Sequence, residues 1–393
     1  MTPSDSSPDD FSDEPRISLS PTGDPWLLTP GPLTTSPEVK QAALHDYGSR
    51  DSRFIAVTRR VRDALVDIVG GGESHVCVPL QGSGTFVVEA MLGSFVPKGG
   101  KVLILVNGAY GARMVKICRV MGRAVAVQES PEDVPNDPEA LDQALAGDPG
   151  ITHVAAVHCE TTSGILNPIE ALAEVTARHG RAFLIDAMSA FGAVPLDARE
   201  VPFDAVVASS NKCLEATPGV GFCLARSEAL ARTEGNAHSL SLDLYDQYVF
   251  MEESGQWRFT PPVQTLLSFD RALEDHAAEG GVAGRGGRYR RNCRILVDGM
   301  RRLGFQTLLP DELQAPVIVT FHMPADPRFK FEDFYDGLRR RGYVIYPGKL
   351  TVAESFRIGC IGRLGEEQMR GALAAVADLL ADMKVESCAP AAA

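Results

Sequence analysis

Between residues 76 and 226 short apolar runs alternate with amphipathic ones, and this alternation most narrows the folds open to the chain. Val76–Leu80, Lys101–Val106, Arg123–Gln128, His153–His158 and Arg181–Ile185 are short and rich in Val, Ala, Ile and Leu, as buried strands are. The segments between them predict helices ending near Phe95 and Met121, then Asp137–Ala146 and about Pro168 to His179. Strand and helix at this spacing predict βα units and a mostly parallel sheet, an α/β fold. Each polar cluster falls directly after a strand: Gly82–Thr85, Asn107–Tyr110, Glu160–Thr162, Asp186 and Lys212. In a parallel sheet those points share one edge, where open α/β sheets bind their ligands.

Asp204 to Arg226, DAVVASSNKCLEATPGVGFCLAR, is the densest stretch. Asp204–Ala208 and Gly221–Ala225 read as buried strands, and Ser209, Ser210 and Asn211 lead into Lys212. A lysine between buried strands is exposed, paired or neutralised. An imine to an aldehyde cofactor is one way to neutralise it; a lysine at an exposed strand end is the competing reading. Gln81-Gly-Ser-Gly-Thr85 sits between a strand and a helix, where backbone N–H groups and the helix dipole make an anion site. It lacks the third glycine of a dinucleotide fingerprint and the Lys of a P-loop, and a plain tight turn is the alternative. Tyr110 follows a strand end, as core packing or as a plate for a planar ring. Asp186 ends a strand, as a turn aspartate or as the partner of a cation. Trp26-Leu-Leu-Thr-Pro-Gly-Pro-Leu33 carries a turn that no helix or strand interior accepts, and Ser36 caps a helix from Pro37.

The 393 residues suffice for one large domain and a smaller one. The order after residue 280 changes: a basic helix over Arg285–Leu303, then strand Val317–Phe321, helix Phe331–Arg340, strands Tyr343–Ile345 and Ser355–Ile358, and helix Glu366–Met383. The expected division is an acidic, disordered tail over 1–25, a large α/β domain over 26–280, a small C-terminal α+β domain over 281–385 and a frayed end over 386–393. Arg357 falls mid-strand in Ser-Phe-Arg-Ile-Gly, where it needs an acidic partner or an anionic ligand.

A net charge of −13 argues against nucleic acid or anionic membrane as partner, though not against a small anion met by a local arginine. No apolar run reaches about 18 residues, so no membrane-spanning helix is expected. The first 25 residues have neither a basic n-region nor an apolar core of a secretory signal. Eight scattered cysteines, none in a CxxC pair, read as buried free thiols in a reducing cytosol, a cytoplasmic setting.

An anion cradle, an aromatic plate, an aspartate, a strand-end lysine and a second-domain arginine are the parts that pyridoxal 5′-phosphate and an anionic substrate need. LLTPGPLTTSPEVK, LQGSGTFVVEAMLGSFV, NGAYGARM, HCETTSGILNPI, LIDAMSAFGAVPLD, SSNKCLEATPGVGF, SLSLDLY, WRFTPP, VIYPGK and FRIGCIG together resemble the 2-aminoethylphosphonate–pyruvate aminotransferases. These are class V members of the fold-type I pyridoxal-phosphate enzymes, and the resemblance runs from about Leu27 to Met383. It implies that Lys212 carries the cofactor and moves the proton, and that Asp186 meets the pyridine nitrogen. It implies Ser83, Gly84 and Thr85 as the phosphate cup, Tyr110 as the ring stack, Thr161 near the 3-hydroxyl and Asn211 as a further cofactor contact. Thr260 is implied as a phosphate contact given to the other subunit of a homodimer, and Arg357 as the residue that receives the phosphonate and then the carboxylate. The implied substrates are 2-aminoethylphosphonate and pyruvate.

The nearest rival is an alanine–glyoxylate or serine–pyruvate aminotransferase; WRFTPP, SLSLDLY and VIYPGK favour the phosphonate enzyme. A cysteine desulfurase would need a reactive loop cysteine, and a ligand-sensing module a partner domain for which the first 25 residues are too short and too acidic. Arg50 and Arg53, in DYGSRDSRF, receive no role; solvent is favoured for both over the phosphonate.

Overall fold

Residues on the central strands alternate between two apolar layers. Leu103, Leu105, Val154, Ala156, Phe183 and Ile185 enter one cluster, and Val102, Ile104, Ala155, Val157 and Leu184 the other. Strands buried on both faces need a helical layer on each side. The computed structural model describes residues 17–350 and 353–391. Its seven-stranded sheet runs His75–Gln81, Val220–Arg226, Ala205–Ser209, Ala182–Asp186, Ile151–Val157, Lys101–Val106 and Ala124–Glu129. Val220–Arg226 is antiparallel to both its neighbours, and the other pairings are parallel. Six strands therefore end at the same edge, and every polar cluster singled out in the sequence sits there.

The C-terminal unit is built round an antiparallel sheet of Ile318–His322, Ser355–Gly359 and Tyr346–Pro347. The helices Gly281–Arg302, Phe331–Arg340 and Glu366–Asp382 supply much of its core. Five phenylalanines, Phe305, Phe321, Phe329, Phe334 and Phe356, fill that core; Phe356 has ring centroids within 5.6 Å of Phe305, Phe321 and Phe334. Strand side chains point to opposite faces in turn. Phe356 and Ile358 enter the aromatic core while Arg357, between them, reaches across to the Thr161 carbonyl at the edge of the large sheet.

Several expectations are revised. Trp26–Leu27 pairs in parallel with Tyr343–Val344, and Trp26 and Leu28 are buried in the C-terminal core, so the N-terminal segment joins both units. Within the expected tail, residues 1–16 lie outside the described residues. Ser18 donates its N–H to Arg341 O and accepts from Trp26 Nε1, which gives this stretch a fixed place. The expected frayed end is likewise held as far as Ala389: Cys388 is buried among apolar side chains, and Asp326 accepts the Glu386 N–H. The helix Ser52–Ile68 begins where Asp51 caps it by accepting from Arg53 N. A helix over Leu244–Ser254 was not expected at all. Its apolar residues are not confined to one stripe, and it is held by tertiary bonds from Gln247 to the Pro79 carbonyl and from Arg258 N to Gln247. Among the described residues no helix is long and apolar enough to cross a membrane, and all eight cysteines are free and buried.

Because Phe356 sits where the aromatic rings converge, Phe356→Ala should cost about 3–5 kcal/mol. A lowered urea unfolding midpoint would show it, and an unchanged midpoint would contradict this account of the C-terminal core.

Candidate active site

The strand ends enclose a cavity of about 460 Å³ whose lining includes Ser83, Gly84, Thr85, Tyr110, Arg113, Asp186, Met188, Ser209, Asn211 and Lys212. Its size suits a small ligand. Seven of the residues singled out in the sequence thus meet in one space: Ser83, Gly84, Thr85, Tyr110, Asp186, Asn211 and Lys212. Thr161 and Arg357 are not part of that lining; a 2.8 Å hydrogen bond from Arg357 Nη1 to Thr161 O links them to each other, and Arg357 acts electrostatically with Tyr110 and Lys212 of the lining. Thr260 is not in it. Thr260 is exposed and lines a neighbouring hollow of about 410 Å³ that shares Gly82 and Gly219 with the cavity.

Ser83 precedes the helix Gly84–Phe95 as its N-cap, yet its hydroxyl makes no cap bond, so the hydroxyl and the helix N-terminus both remain for an anion. A Cβ on Gly84 would lie 2.4 Å from Met188 Sδ, so any larger residue there would have to displace the Met188 side chain. Ser209 Oγ is buried beside the cavity without a hydrogen-bond partner. A buried hydroxyl left unpaired, in a cavity lined by free donors, suits a phosphate.

Lys212 is half-buried in the loop between two antiparallel strands. Its Nζ donates to the Pro30 carbonyl, at the Pro30-Gly31-Pro32 turn, and forms no ion pair with a carboxylate among the described residues. A Cβ on Gly31 would come within 2.8 Å of Lys212 Nζ, so the turn packs directly on the amine. Burial pulls the ammonium's pKa below its ordinary 10.5, against raising effects from Tyr110, Cys213 and Asp186. Loss of the proton, which gives the nucleophilic amine, is thereby made easier.

Asp186 is 4% exposed and accepts the Met188 N–H at 2.9 Å. The turn role and the site role therefore coincide. Burial raises its carboxyl to about 6, with Glu160 adding to the rise and Met188, Arg113 and Lys212 opposing it. A cation brought into the cavity beside Asp186 would relieve that cost.

Glu160, seen in the sequence only as part of a polar cluster, has a different task. Its carboxylate is fully buried and accepts from Tyr110 N, Gly111 N, Thr162 N and Thr162 Oγ1. It caps the helix Ala109–Val120, in place of the preceding Gly108, and so holds Tyr110. A Cβ on Gly108 would lie 2.4 Å from Glu160 Cγ.

Arg113 went unassigned in the sequence. It donates to Thr85 Oγ1 and stands 4.8 Å from the Tyr110 ring centre. A turn of helix separates Arg113 from Tyr110, a spacing visible in the sequence whose destination was not. A second unassigned group is the network behind Lys212, in which Arg285, Arg288 and Tyr289 of the helix Gly281–Arg302 meet Glu215 and Glu279. Glu215 adopts a left-handed φ of 59° and is held by Arg288 Nη2 at 2.7 Å and by Tyr289 Oη. Arg285 donates to the Cys213 carbonyl, and Glu279 bonds both arginines. Arg50 and Arg53 are exposed, and Arg53 pairs with Asp51. Cys159 and Cys213 lie near Lys212, but burial pushes both thiols up, Cys213 to about 12, so neither is a ready nucleophile.

The aminotransferase class-V family model matches residues 39–354. A 2-aminoethylphosphonate–pyruvate transaminase of Pseudomonas entomophila is 54% identical over 92% of this chain and 98% of its own length. One from a Polaromonas species is 55% identical over 93% and 98%. Among solved structures, an alanine–glyoxylate aminotransferase of a Nostoc species superposes with a TM-score of 0.85 at 24% identity, covering 93% of this chain and 98% of that one. At that identity the last likeness speaks for the fold alone.

The Asp186 carboxyl generates a pH prediction. With its pKa raised in the folded state, its stabilising contribution is complete below about pH 4 and is lost as the pH rises through about 6. The loss amounts to about 3 kcal/mol, and Asp186→Asn should remove it. Urea titrations of the two cofactor-free proteins at about pH 4.5 and 7.5 would check this; the same pH dependence in both would contradict it.

Proposed function

The chain belongs to the class-V aminotransferase family, and from that premise we infer that it moves the amino group of 2-aminoethylphosphonate to pyruvate, giving phosphonoacetaldehyde and L-alanine. The whole-length identity to transaminases of that name supports this, with the fold-type I architecture. The observation that carries it within the molecule is Arg357. Arg357 is 5% exposed, and its guanidinium is bonded to the Thr161 and Pro347 carbonyls and pairs with no carboxylate among the described residues. A buried cation with carbonyl partners alone is poised for an anion from outside.

Pyridoxal 5′-phosphate, when bound, supplies the electron sink for the charge left on the donor carbon. Ser83, Gly84, Thr85 and Ser209 would hold its phosphate, Asp186 its pyridine nitrogen and Tyr110 its ring, with Thr161 and Asn211 as further contacts. Lys212 Nζ would carry the proton to and from the donor carbon, for which its lowered pKa suits it. Arg357 would take the phosphonate in one half of the reaction and the carboxylate in the other.

A homodimer belongs to the same proposal, with Thr260 of the partner subunit completing the phosphate site. Thr260 is exposed beside the cavity, and Phe86, Leu240 and Phe259 leave apolar surface uncovered. The free, buried thiols support a reducing, cytoplasmic setting.

The test is alanine formation from pyruvate by cofactor-loaded protein with 2-aminoethylphosphonate, serine, glycine or 2-aminoethylsulfonate in parallel. Turnover confined to the phosphonate donor is expected, and turnover confined to amino acids would move the function to the alanine–glyoxylate or serine–pyruvate branch. Lys212→Ala should abolish transamination. Arg357→Leu should raise KM for both substrates by about 10- to 100-fold, the worth of a charge-assisted hydrogen bond of about 1.5–3 kcal/mol.

A further inference from the structure

Arg357 alone does not distinguish the two substrates proposed above. A carboxylate offers one charge and two oxygens, which one guanidinium fork satisfies. A phosphonate offers three oxygens and, like a phosphate monoester, loses a second proton near neutral pH. In 2-aminoethylphosphonate the anionic group also stands one carbon farther from the reacting carbon than the carboxylate of pyruvate or alanine does. A site that takes both needs a second cation, near Arg357, that the longer and more highly charged donor reaches.

The C-terminal unit provides one. Tyr346 lies opposite Arg357 in the sheet, and Arg357 Nε holds the Pro347 carbonyl at 3.1 Å. The chain then turns at Gly348, whose N–H bonds Ser355 O. A Cβ there would lie 2.2 Å from that oxygen, so only glycine permits so close a turn. Two residues past the carbonyl that Arg357 holds, Lys349 directs its Nζ to within 4.5 Å of the Tyr110 ring centre. Tyr110 lines the cavity, and its hydroxyl acts electrostatically on both Lys212 and Arg357. Lys349 is half-buried and pairs with no carboxylate among the described residues. An ammonium resting on an aromatic ring, with no counter-ion, moves to an anion at little cost.

We propose that Lys349 is the specificity-determining second cation of the substrate site, binding the phosphonate together with Arg357 and leaving carboxylate substrates to Arg357 alone. This rests on the aminotransferase reading of the same site.

The test compares wild type, Lys349→Met and Lys349→Arg as cofactor-loaded proteins. Each is mixed separately with 2-aminoethylphosphonate and with L-alanine, and the half-reaction is followed by the cofactor's absorbance. Lys349→Met should raise the apparent Kd for 2-aminoethylphosphonate at least tenfold and that for alanine less than threefold, with Lys349→Arg returning the phosphonate value to within about threefold. Wild-type affinity for the phosphonate should rise with pH through its second ionisation, and Lys349→Met should flatten that rise. Equal shifts for both donors, or no shift, would overturn the assignment of Lys349 while leaving the function intact. A wild type that converts alanine but not the phosphonate would overturn the substrate reading and this inference with it.

Discussion

One amine decides how the rest is built: Lys212 Nζ is half-buried at the edge of the cavity, where burial disfavours its charged form. A neighbouring carboxylate would fix the ammonium and remove its nucleophilicity. The Pro30 carbonyl satisfies one hydrogen bond of the amine without adding an ionic partner. The turn that carries this carbonyl is anchored far from the sheet, because Trp26 and Leu28 belong to the C-terminal core and Gly359 N donates to Leu28 O. The amine thus rests on a segment that ties the two units together, and any shift between them reaches Lys212 Nζ.

Behind the amine the chain takes the opposite course and gathers charge. Glu215, Glu279, Arg285, Arg288 and Tyr289 form a closed network in which Glu215 and Arg285 are buried. Buried ion pairs contribute little net stability, but losing one partner leaves the others uncompensated. What the network supplies is a defined conformation. Glu215 has a left-handed backbone that a β-carbon disfavours, and the arginine and tyrosine that hold its carboxylate keep the turn after Lys212 from relaxing. The helix Gly281–Arg302 thereby acts on the site without lining it.

The front of the cavity shows a third use of charge. Arg357 reaches the sheet edge from a unit whose interior is almost wholly aromatic and aliphatic because strand alternation sends Phe356 one way and Arg357 the other, and Lys349 comes to the Tyr110 ring from the neighbouring turn. Glu160 is the acid nearest to them in function. Its carboxylate is bonded to the N–H groups of the helix that carries Tyr110, and it acts on Arg357 through space, without a direct ion pair.

Much of this was legible in the linear order. The βα alternation specified a parallel sheet, and the polar residues after each strand specified one edge, since both follow from side-chain period and from the direction of parallel strands. That Lys212, Asp186 and the Gly82–Thr85 loop meet in one cavity could be read because each follows directly on a strand of that sheet. Roles that depend on which distant segment arrives were not legible. Glu160 as a helix cap, Arg113 on Thr85, Glu215 against Arg288, and Trp26 in the C-terminal core are contacts between residues tens to hundreds apart. The helix Leu244–Ser254 belongs with them, since its stability comes from packing rather than from a one-sided pattern. The sequence by itself determined the periodicities, the turns and the chemical inventory of the site. Only the tertiary structure decided which charges pair and which stay open, because pairing depends on distance and burial, and neither is a property of neighbours along the chain.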